Sequence, residues 1–451
     1  MILIEGGTLI TGDGKTLTPI SALLIKDEQI YEILPFGQKV PKGLPVRERI
    51  DGTNRYIFPG IINNHGHGIT FGPLFASAAK GLSEVQIKKN LERHLLEGTT
   101  TIINMDGFAL KEDVDAAQKL TPIKIELTTI NTPLNLKAAL QADGSGLADL
   151  HKMNSWEKML NGGATVIGEI GAGATLGGMG QDYLYIPRAI KEITGRELTP
   201  LEAKSLKEAI LGRTIDPNNF DGQKAKKVLN DLGLGQSLTV EEAKEIVIKC
   251  VMPSFQVALE GILEAVKIAH DSDFPMIVHN AASSKKVIFE ICKDFGRSTT
   301  IILAHSNHST FEIEEALDHA RALRELGGII DITSGDFYGV RRLYQSLDIT
   351  FALLKASLVD LISTDYMGGF HDPILLVLEK AIDKRIINIP KAISLATGNV
   401  AKVFPKSTRE RGFLEKGKKA DLVITADDHL SHVDIVMING KIVVREGRVV
   451  N

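Results

Sequence analysis

The sequence predicts an α/β protein with a (β/α)8 barrel of the TIM type and a small β-sandwich domain built from both chain termini. The middle of the 451-residue chain alternates apolar strand-like runs with amphipathic helical stretches, whereas both ends show only short strand-like runs. Eight strands that each lead into a helix close most naturally into a parallel barrel. An open, doubly wound sheet is the rival architecture.

Both ends of the chain carry short strand-like runs separated by turn residues. These runs lie at residues 2–10, 22–34, 421–425, 435–438 and 441–444, with Asn439-Gly440 as a hairpin turn. Because neither end can bury a core alone, pairing the two into one sheet domain is the economical solution. We therefore predict residues 1–56 and 412–451 as the two parts of the β-sandwich, and 57–411 as the barrel.

Eight apolar runs between the two ends are candidate barrel strands, with helical stretches between most of them. They end near Asn63, Ile103, Leu127, Gly168, Val278, Ala304, Asp331 and Ser363. The carboxyl ends of barrel strands meet on one face, so residues far apart in sequence are expected to become neighbours there.

Residues 181–253 do not fit a single strand–helix unit and are predicted to be a helical insertion. Thr199 with Glu202, and Thr239 with Glu242, have the spacing of capping boxes, which indicates two or three extra helices. The insertion follows the fourth strand, on the face where barrels place their active sites. A lid or substrate-selecting wall is one interpretation, and an oligomer contact or decoration is the other.

The composition predicts a cytoplasmic protein with a small-molecule substrate. A net charge of −4 gives no reason to expect nucleic acid or an anionic membrane as partner. No apolar run approaches the roughly 20 residues that span a bilayer, so no membrane association is predicted. The two cysteines, Cys250 and Cys292, form no Cys-x-x-Cys pair and are interpreted as reduced core thiols.

The end of the first strand carries two imidazoles one residue apart, His65 and His67. Alternate side chains of a strand point to the same face, so the two rings project together. One zinc-sized ion can bind both at roughly 2.0–2.1 Å. A lone His-x-His pair is only moderately specific, because each ring could equally be a satisfied core residue.

Four further strand ends each supply one more candidate ligand. The fourth strand ends in Glu169, the fifth in His279, the sixth in His305 and the eighth in Asp365. Any one of these could be a core residue or a helix cap. Six suitable residues on five strand ends are difficult to explain in that way, so the set predicts a metal centre.

Four imidazoles and two carboxylates suit a pair of divalent ions, for which zinc, manganese and iron are all candidates. Glu169 can bridge the two ions. Two +2 charges lower the pKa of a water between them, so that metal-activated hydroxide forms without a strong base. Asp365 can orient that water, take its proton and pass it to a leaving nitrogen.

With these residues in place, the chain resembles the amidohydrolase superfamily, which includes dihydroorotases, hydantoinases, imidazolonepropionases, isoaspartyl dipeptidases and enamidase. The resemblance covers nearly the whole chain. It includes the strand pairs at 2–10 and 22–34, the Glu-Gly-Thr-Thr-Thr run at 97–101, the Ala-Thr-Gly-Asn-Val-Ala run at 396–401 and the Gly-Lys-Lys-Ala-Asp-Leu run at 417–422. It implies a metal-bearing barrel beside a β-sandwich, and a homo-oligomer, dimer or tetramer. By position it implies that the ligands are His65, His67, Glu169, His279, His305 and Asp365.

Two positions depart from the pattern of the superfamily. Its first motif usually has Asp where this chain has Asn63, so the support of the histidines is altered. Its bridging residue is commonly a carboxylated lysine, where this chain has Glu169. That variant resembles enamidase and related cyclic-amide hydrolases, and both a binuclear and a mononuclear site remain open.

Four further residues are weaker candidates for substrate binding. His308 follows the sixth strand and could contact substrate, or could cap a helix. Arg341 and Arg342 follow a Gly-containing loop after the seventh strand, where one could hold a substrate carboxylate or simply begin a helix. His371 lies beyond the eighth strand and is the weakest of the four.

We therefore predict a metal-dependent hydrolase that cleaves the C–N bond of a cyclic amide, lactam, imide or enamide. Two zinc ions per subunit are expected, with manganese or iron as alternatives. Deamination of a heterocycle on the same scaffold is the alternative, and metal counts with ammonia assays would separate the two. A non-catalytic scaffold is a third reading, although such forms typically lose ligands and none is missing here.

Overall fold

Strands from both ends of the chain form one sheet in the computed structural model, which describes residues 1–178, 180–338, 346–365 and 370–450. The N-terminal strands are β1 (Ile2–Glu5), β2 (Thr8–Ile10), β3 (Leu17–Lys26), β4 (Gln29–Pro35), β5 (Glu48–Asp51) and β6 (Tyr56–Pro59). The C-terminal strands are β16 (Leu422–Thr425), β17 (Val433–Ile438), β18 (Lys441–Arg445) and β19 (Arg448–Val449). They are hydrogen-bonded in the order β19-β18-β17-β16-β6-β2-β3-β1-β5, with β4 on β3.

The two ends of the chain join where β6 pairs antiparallel with β16, with Ile57 opposite Ile424. Side chains from both parts share one buried core that includes Ile4, Ile57, Leu422 and Ile424. This is the β-rich domain built from both termini that the sequence predicted. The exact boundaries at 56 and 412 stay predictions.

The middle of the chain forms two curled parallel sheets. The first has β7 (Ile61–Gly66), β8 (Thr99–Asn104) and β9 (Lys124–Glu126); the second runs through β10 (Thr128–Thr129), β11 (Val166–Ile170), β12 (Met276–His279), β13 (Ile301–Ala304), β14 (Ile329–Thr333) and β15 (Leu361–Ser363). Only Leu127 separates β9 from β10. At the other edge, the amide of Asp365 donates to the carbonyl of His65 at 2.9 Å. The sheets are thus adjacent at both edges, and each strand ends close to its predicted end.

Helices follow most of these strands and cover the sheets. They are α1 (Glu84–Leu96), α2 (Lys111–Gln118), α3 (Pro133–Ala142), α4 (Asp149–Lys152), α5 (Trp156–Asn161), α6 (Ile186–Thr194), α7 (Pro200–Leu211), α8 (Gly222–Asp231), α9 (Val240–Ser272), α10 (Lys285–Phe295), α11 (Ile313–Glu325), α12 (Asp348–Lys355), α13 (Ile374–Asp383), α14 (Ile389–Leu395), α15 (Gly398–Val403) and α16 (Pro405–Thr408).

The predicted insertion is helical. It contains a π-helical turn at Gln181–Tyr185, a 3-10 turn at Pro217–Asn219, the helices α6 to α8 and the first half of α9. Both predicted capping boxes are present. Thr199 caps α7 with Glu202, and Thr239 caps α9 with Glu242.

Helix α9 is long and apolar enough, by length and composition alone, to cross a membrane. Its residues Val257, Ile262 and Val266 are nevertheless buried, and the helix packs against α3 and α10. A buried core helix has the same composition, so α9 gives only weak support for a membrane span.

Candidate metal centre

His65 and His67 lie together at the end of β7, as the alternation of strand side chains predicts. Their Nε2 atoms are 3.1 Å apart, and both rings are almost completely buried. Both atoms face a cluster of carboxylates and imidazoles supplied by other strand ends. This is the arrangement of two donor atoms that can share one ion.

Asp106, just beyond β8, orients His67. Its Oδ1 accepts a hydrogen bond from His67 Nδ1 at 2.8 Å and from the amide of Phe75 at 2.9 Å, and its Oδ2 accepts from the amide of Gly68 at 2.7 Å. With Nδ1 donating, Nε2 of His67 is left as a lone-pair donor toward the cluster. Asp106 was not among the residues predicted from the sequence, and its position just after a strand is the one signal that pointed to it.

Glu169, in strand β11, lies between two groups of histidines. Its Oε1 is 3.0 Å from His279 Nδ1 and 2.9 Å from His305 Nε2. Its Oε2 is 3.5 Å from His65 Nε2 and 3.7 Å from His67 Nε2. Each carboxylate oxygen therefore faces a different pair of imidazoles.

Asp365, just beyond β15, completes the cluster. Its Oδ1 is 3.4 Å from His65 Nε2 and 3.7 Å from His67 Nε2, and its Oδ2 is 3.9 Å from His305 Nε2. Asp365 and His305 both have a φ of 39°, which side-chain-bearing residues rarely adopt. Backbone strain of this kind is concentrated at functional sites, where the surrounding structure maintains it.

Asn63 connects β7 to the segment that carries Asp365. Its Oδ1 accepts from the amides of Thr364 at 3.0 Å and His65 at 3.3 Å, and its Nδ2 donates to Thr364 Oγ1 at 2.8 Å. The amide of Asn63 can both donate and accept here, which a carboxylate cannot. Asn63, where the superfamily usually has Asp, therefore links the end of β7 to the end of β15 through hydrogen bonds.

The electrostatics of the cluster favour positive charge. Burial would raise the pKa of Glu169, but His65, His279 and His305 hold it well below its usual range. Burial would lower the pKa of His67, but Asp106 and Glu169 raise it to about 10. Burial would also lower the pKa of His305, which Asp365 and Glu169 raise to about 9. Buried carboxylates that stabilise imidazolium in this way would stabilise a bound cation equally well.

The donor atoms form two groups, each of which could hold a divalent ion. His65, His67, Glu169 and Asp365 form one compact group of ligand atoms, and Glu169, His279 and His305 form a second. Imidazole nitrogen with carboxylate oxygen is a donor set suited to zinc, manganese and iron. The six residues predicted as ligands are thus brought together, with Glu169 common to both groups.

A pocket opens beside this cluster. Its lining includes five residues of the cluster together with His308, namely Glu169, His67, His279, His305, His308 and Asp365, and ten further residues, Phe75, Ser77, Ala79, Ala172, Gly173, Ala174, Gly180, Tyr183, Leu184 and Tyr185. Tyr183 to Tyr185 belong to the insertion, so the interpretation of the insertion as a pocket wall has geometric support. His308, a predicted substrate contact, lies in this lining with its ring 5.5 Å from that of His279.

The other predicted substrate contacts are placed differently. His371 is absent from the described lining of the pocket, and its Nε2 lies 2.7 Å from Glu97 Oε2 at the end of α1. Its substrate role stays a prediction without support from its position. Arg341 and Arg342 lie outside the described residues.

Solved structures share this fold. A β-aspartyl dipeptidase from the thermophilic, keratin-degrading Fervidobacterium islandicum AW-1 is 14% identical, with a TM-score of 0.60 over 100% of this chain and 98% of that one. A D-hydantoinase is 15% identical, with a TM-score of 0.52 over 99% and 96%. An N-acyl-D-glutamate deacylase from Bordetella bronchiseptica, solved with zinc and a phosphonate inhibitor, is 13% identical, with a TM-score of 0.51 over 98% and 96%.

No curated protein matches the sequence of this chain. Residues 56–443 match the model of the amidohydrolase family, which covers most of the chain. The match spans every strand end that supplies a residue to the cluster. The chain therefore belongs to the amidohydrolase family, whose members are generally metal-dependent hydrolases of amide-type bonds.

Proposed function

We propose that this protein hydrolyses the C–N bond of a small cyclic amide, lactam, imide or enamide with two bound divalent ions. The observation that carries the proposal is Glu169, whose two oxygens face separate groups of ligand atoms. A carboxylate in this position can belong to both groups at once. The D-hydantoinase neighbour, named for a cyclic substrate, supports the substrate class.

Zinc is our first choice for both ions, with manganese or iron as alternatives. His65, His67, Glu169 and Asp365 would hold one ion, and Glu169, His279 and His305 the other. When bound, such ions make water nucleophilic near neutral pH and polarise a carbonyl oxygen. The presence of zinc in the deacylase neighbour supports this choice.

Asp365 is the residue we propose as proton carrier. It lines the pocket and is the most exposed of the ligand carboxylates, with 15% of its side chain accessible against 3% for Glu169. Its carboxylate would accept the proton that water loses during attack and deliver it to the departing nitrogen. Asp106 would keep His67 in the tautomer that leaves Nε2 available.

The closure of the barrel, the bounds of the catalytic domain, the oligomeric state and the cellular location are also proposals. We propose that the two curled sheets are the halves of one (β/α)8 barrel, supported by their adjacency at Leu127 and at the His65–Asp365 hydrogen bond. Residues 57–411 would then be the catalytic domain. A homo-oligomeric assembly, dimer or tetramer, and a cytoplasmic location remain predictions from the sequence.

The test combines metal analysis with ring-opening assays. The protein would be stripped with a chelator, reloaded with zinc, manganese or iron, and assayed on hydantoin and dihydrouracil rings. We expect about two ions per chain and ring opening without release of ammonia. Glu169→Gln should lower the metal content and abolish activity, whereas Glu241→Gln, at an exposed position of α9, should change neither.

Two outcomes would contradict the proposal. One ion per chain with ammonia release from heterocycles would favour deamination. A reloaded protein that binds ions but opens none of a broad panel of cyclic amides would favour a scaffold role.

A further inference from the structure

The pocket beside the cluster has a wall made almost entirely of apolar and aromatic side chains. Phe75 comes from the loop after β7, Ala172 and Ala174 from the loop after β11, and Tyr183, Leu184 and Tyr185 from the π-helical turn of the insertion. We call these six residues the apolar wall. They line the same pocket as the ligand cluster, so a substrate whose scissile bond lies at the cluster would place its remaining part against them.

The apolar wall offers no counter-charge to an anion. Within the described residues that line the pocket, none is a lysine or an arginine. The hydroxyl of Tyr185 donates to Asp143 Oδ2 at 3.1 Å, so it is engaged behind the wall. Burial, with the neighbouring Asp143, raises the pKa of Tyr185 well above its usual range, which keeps this phenol neutral.

The buried lysine of the insertion is also engaged. Lys207 of α7 is almost completely buried, and its Nζ lies 2.6 Å from Asp182 and donates to the carbonyl of Gly177 at 2.5 Å. Asp182 is the second residue of the π-helical turn, directly before Tyr183. The ammonium group of Lys207 is therefore paired with Asp182, next to the apolar wall. It is not available to bind an anionic ligand.

We propose that the substrate presents an uncharged, apolar substituent to the apolar wall. The inference rests on the proposed function and narrows it, to neutral cyclic amides that bear an alkyl or aryl group. A carboxylate facing this wall would lose hydration without a cationic side chain among the described lining residues to compensate, which disfavours binding. An alkyl or aryl group would instead bury apolar surface against it.

Three hydantoins with closely matched side chains at C5 test this proposal. Isobutyl, carbamoylmethyl and carboxymethyl groups have similar shapes but are apolar, polar and charged. With the zinc-loaded protein, we expect kcat/KM to fall in that order, with carboxymethyl about 100-fold below isobutyl because its charge is buried uncompensated. Dissociation constants measured by calorimetry in Asp365→Asn, where turnover is slow, should follow the same order.

Variants of one wall residue locate the effect. Leu184→Arg places a cation in the wall and should shift the ratio of kcat/KM between carboxymethyl and isobutyl by at least about 10-fold toward carboxymethyl. Leu201→Arg, at an exposed position of α7, is the matched control and should leave the ratio unchanged. Leu184→Ala, a milder change, should reduce kcat/KM for the isobutyl compound alone.

Failure of this inference is distinguishable from failure of the proposed function. If the wild-type protein opens the carboxymethyl ring as well as or better than the isobutyl ring, the inference is overturned and ring hydrolysis stands. If Asp365→Asn binds the isobutyl compound most tightly while the wild type opens none of the three, the apolar wall is supported and the proposed reaction fails. Absence of binding by any of the three overturns the inference.

Discussion

Different side chains of the candidate centre have different roles, either as candidate ligands or as groups that orient those ligands. Glu169 contributes one oxygen to each pair of histidines, and Asp106 uses both of its oxygens to orient His67 and two loop amides. The second role involves no ligand atom, yet it fixes which nitrogen of His67 points into the centre. Such supporting carboxylates are typically nearly as important as the ligands themselves.

Replacement of Asp106 tests that role directly. Asp106→Asn keeps the shape but removes the charge that favours the Nδ1–H tautomer of His67, so we expect metal affinity to fall roughly 10–100-fold. Competition with a chromophoric chelator measures this change. Asp115→Asn, at an exposed position of α2, should leave affinity unchanged; equal affinities for all three proteins would contradict the proposed role.

Asp365 gives a second prediction at this scale. Asp365→Asn should lower kcat by roughly 10²–10⁴-fold, because an amide cannot carry the proton to the leaving nitrogen. Steady-state kinetics on a ring substrate, with metal content measured on the same sample, separates loss of proton transfer from loss of metal. Asp348→Asn, at the start of α12, is the control and should retain full activity.

The sequence identified the six residues that cluster in the candidate centre, and it did not identify the residues that support them. His65, His67, Glu169, His279, His305 and Asp365 could be predicted because each follows an apolar strand, where chain order and strand direction bring the ends together. Asp106 follows β8 in the same way. It was missed because a lone carboxylate after a strand has no distinctive spacing, and its value lies in contacts with residues more than thirty positions away.

Between helix α1 and the chain that enters α13, a small buried group links two elements. The rings of His94 and His371 stack with centroids 4.4 Å apart, and His371 Nε2 donates to Glu97 at 2.7 Å. Arg93 donates to the other oxygen of Glu97 at 2.8 Å. This group attaches the chain at His371 to the end of α1.

This group predicts acid sensitivity. Burial, reinforced by His371, lowers the pKa of His94 from 6.5 to about 3. Between those values the unfolded chain binds a proton that the folded protein does not, so stability falls as the pH falls below 6.5. We expect His94→Phe to reduce this loss by about 1.4 kcal/mol per pH unit.

Urea unfolding at pH 7.5 and pH 5.5 measures the difference. The exposed variant His429→Phe is the control and should lose stability as the wild type does. Identical pH dependence of His94→Phe and wild type would show that His94 is not responsible.

The insertion contains a buried ion pair between Lys207 and Asp182. Lys207→Met would leave Asp182 buried without its partner, which typically costs about 3–5 kcal/mol of unfolding free energy. The double variant Lys207→Met with Asp182→Leu should recover most of that loss, because no uncompensated charge remains. Lys204→Met, three positions earlier and only weakly paired, should cost about 1 kcal/mol or less. A double variant as unstable as the single one would refute this account.

Some helix starts and one hairpin were predictable from local signals. The capping boxes at Thr199 and Thr239 fixed the starts of α7 and α9, and the hairpin at Asn439 appears as predicted. The π-helical turn at Gln181–Tyr185 could not be predicted, because its partners include Lys207 from another helix, which local sequence does not reveal. The position of Tyr183 to Tyr185 in the pocket lining could not be predicted either, because it depends on contacts between distant parts of the chain.

At the scale of the whole molecule, the terminal sheet and the site share one stretch of chain. Strand β6 ends at Pro59 and β7 begins at Ile61, so only Gly60 separates the sheet from the strand that carries His65. A Cβ at Gly60 would lie 2.3 Å from the side chain of Thr100, so only glycine fits this passage. The two regions are therefore expected to unfold together.

A mutation in the sheet can test that coupling with the single tryptophan, Trp156, as reporter in α5. Ile424→Ala removes a fully buried side chain opposite Ile57 and should cost about 2–5 kcal/mol. We expect the urea transitions followed by Trp156 fluorescence and by far-UV circular dichroism to shift equally. Val449→Ala, at an exposed position, should shift neither; a fluorescence transition unaffected by Ile424→Ala would show that the regions unfold separately.

The passage at Gly60 has a consequence for how this protein can vary. Strand β7, which carries the two histidines, follows β6 after a single residue, and β6 joins the two chain ends. The position of the terminal sheet therefore helps to determine the position of His65 and His67. Substitutions that shift β6 against β16 would be transmitted to His65 without an intervening loop to absorb them. Attempts to join the two parallel sheets to another terminal domain should therefore preserve residues 56–61 as a unit.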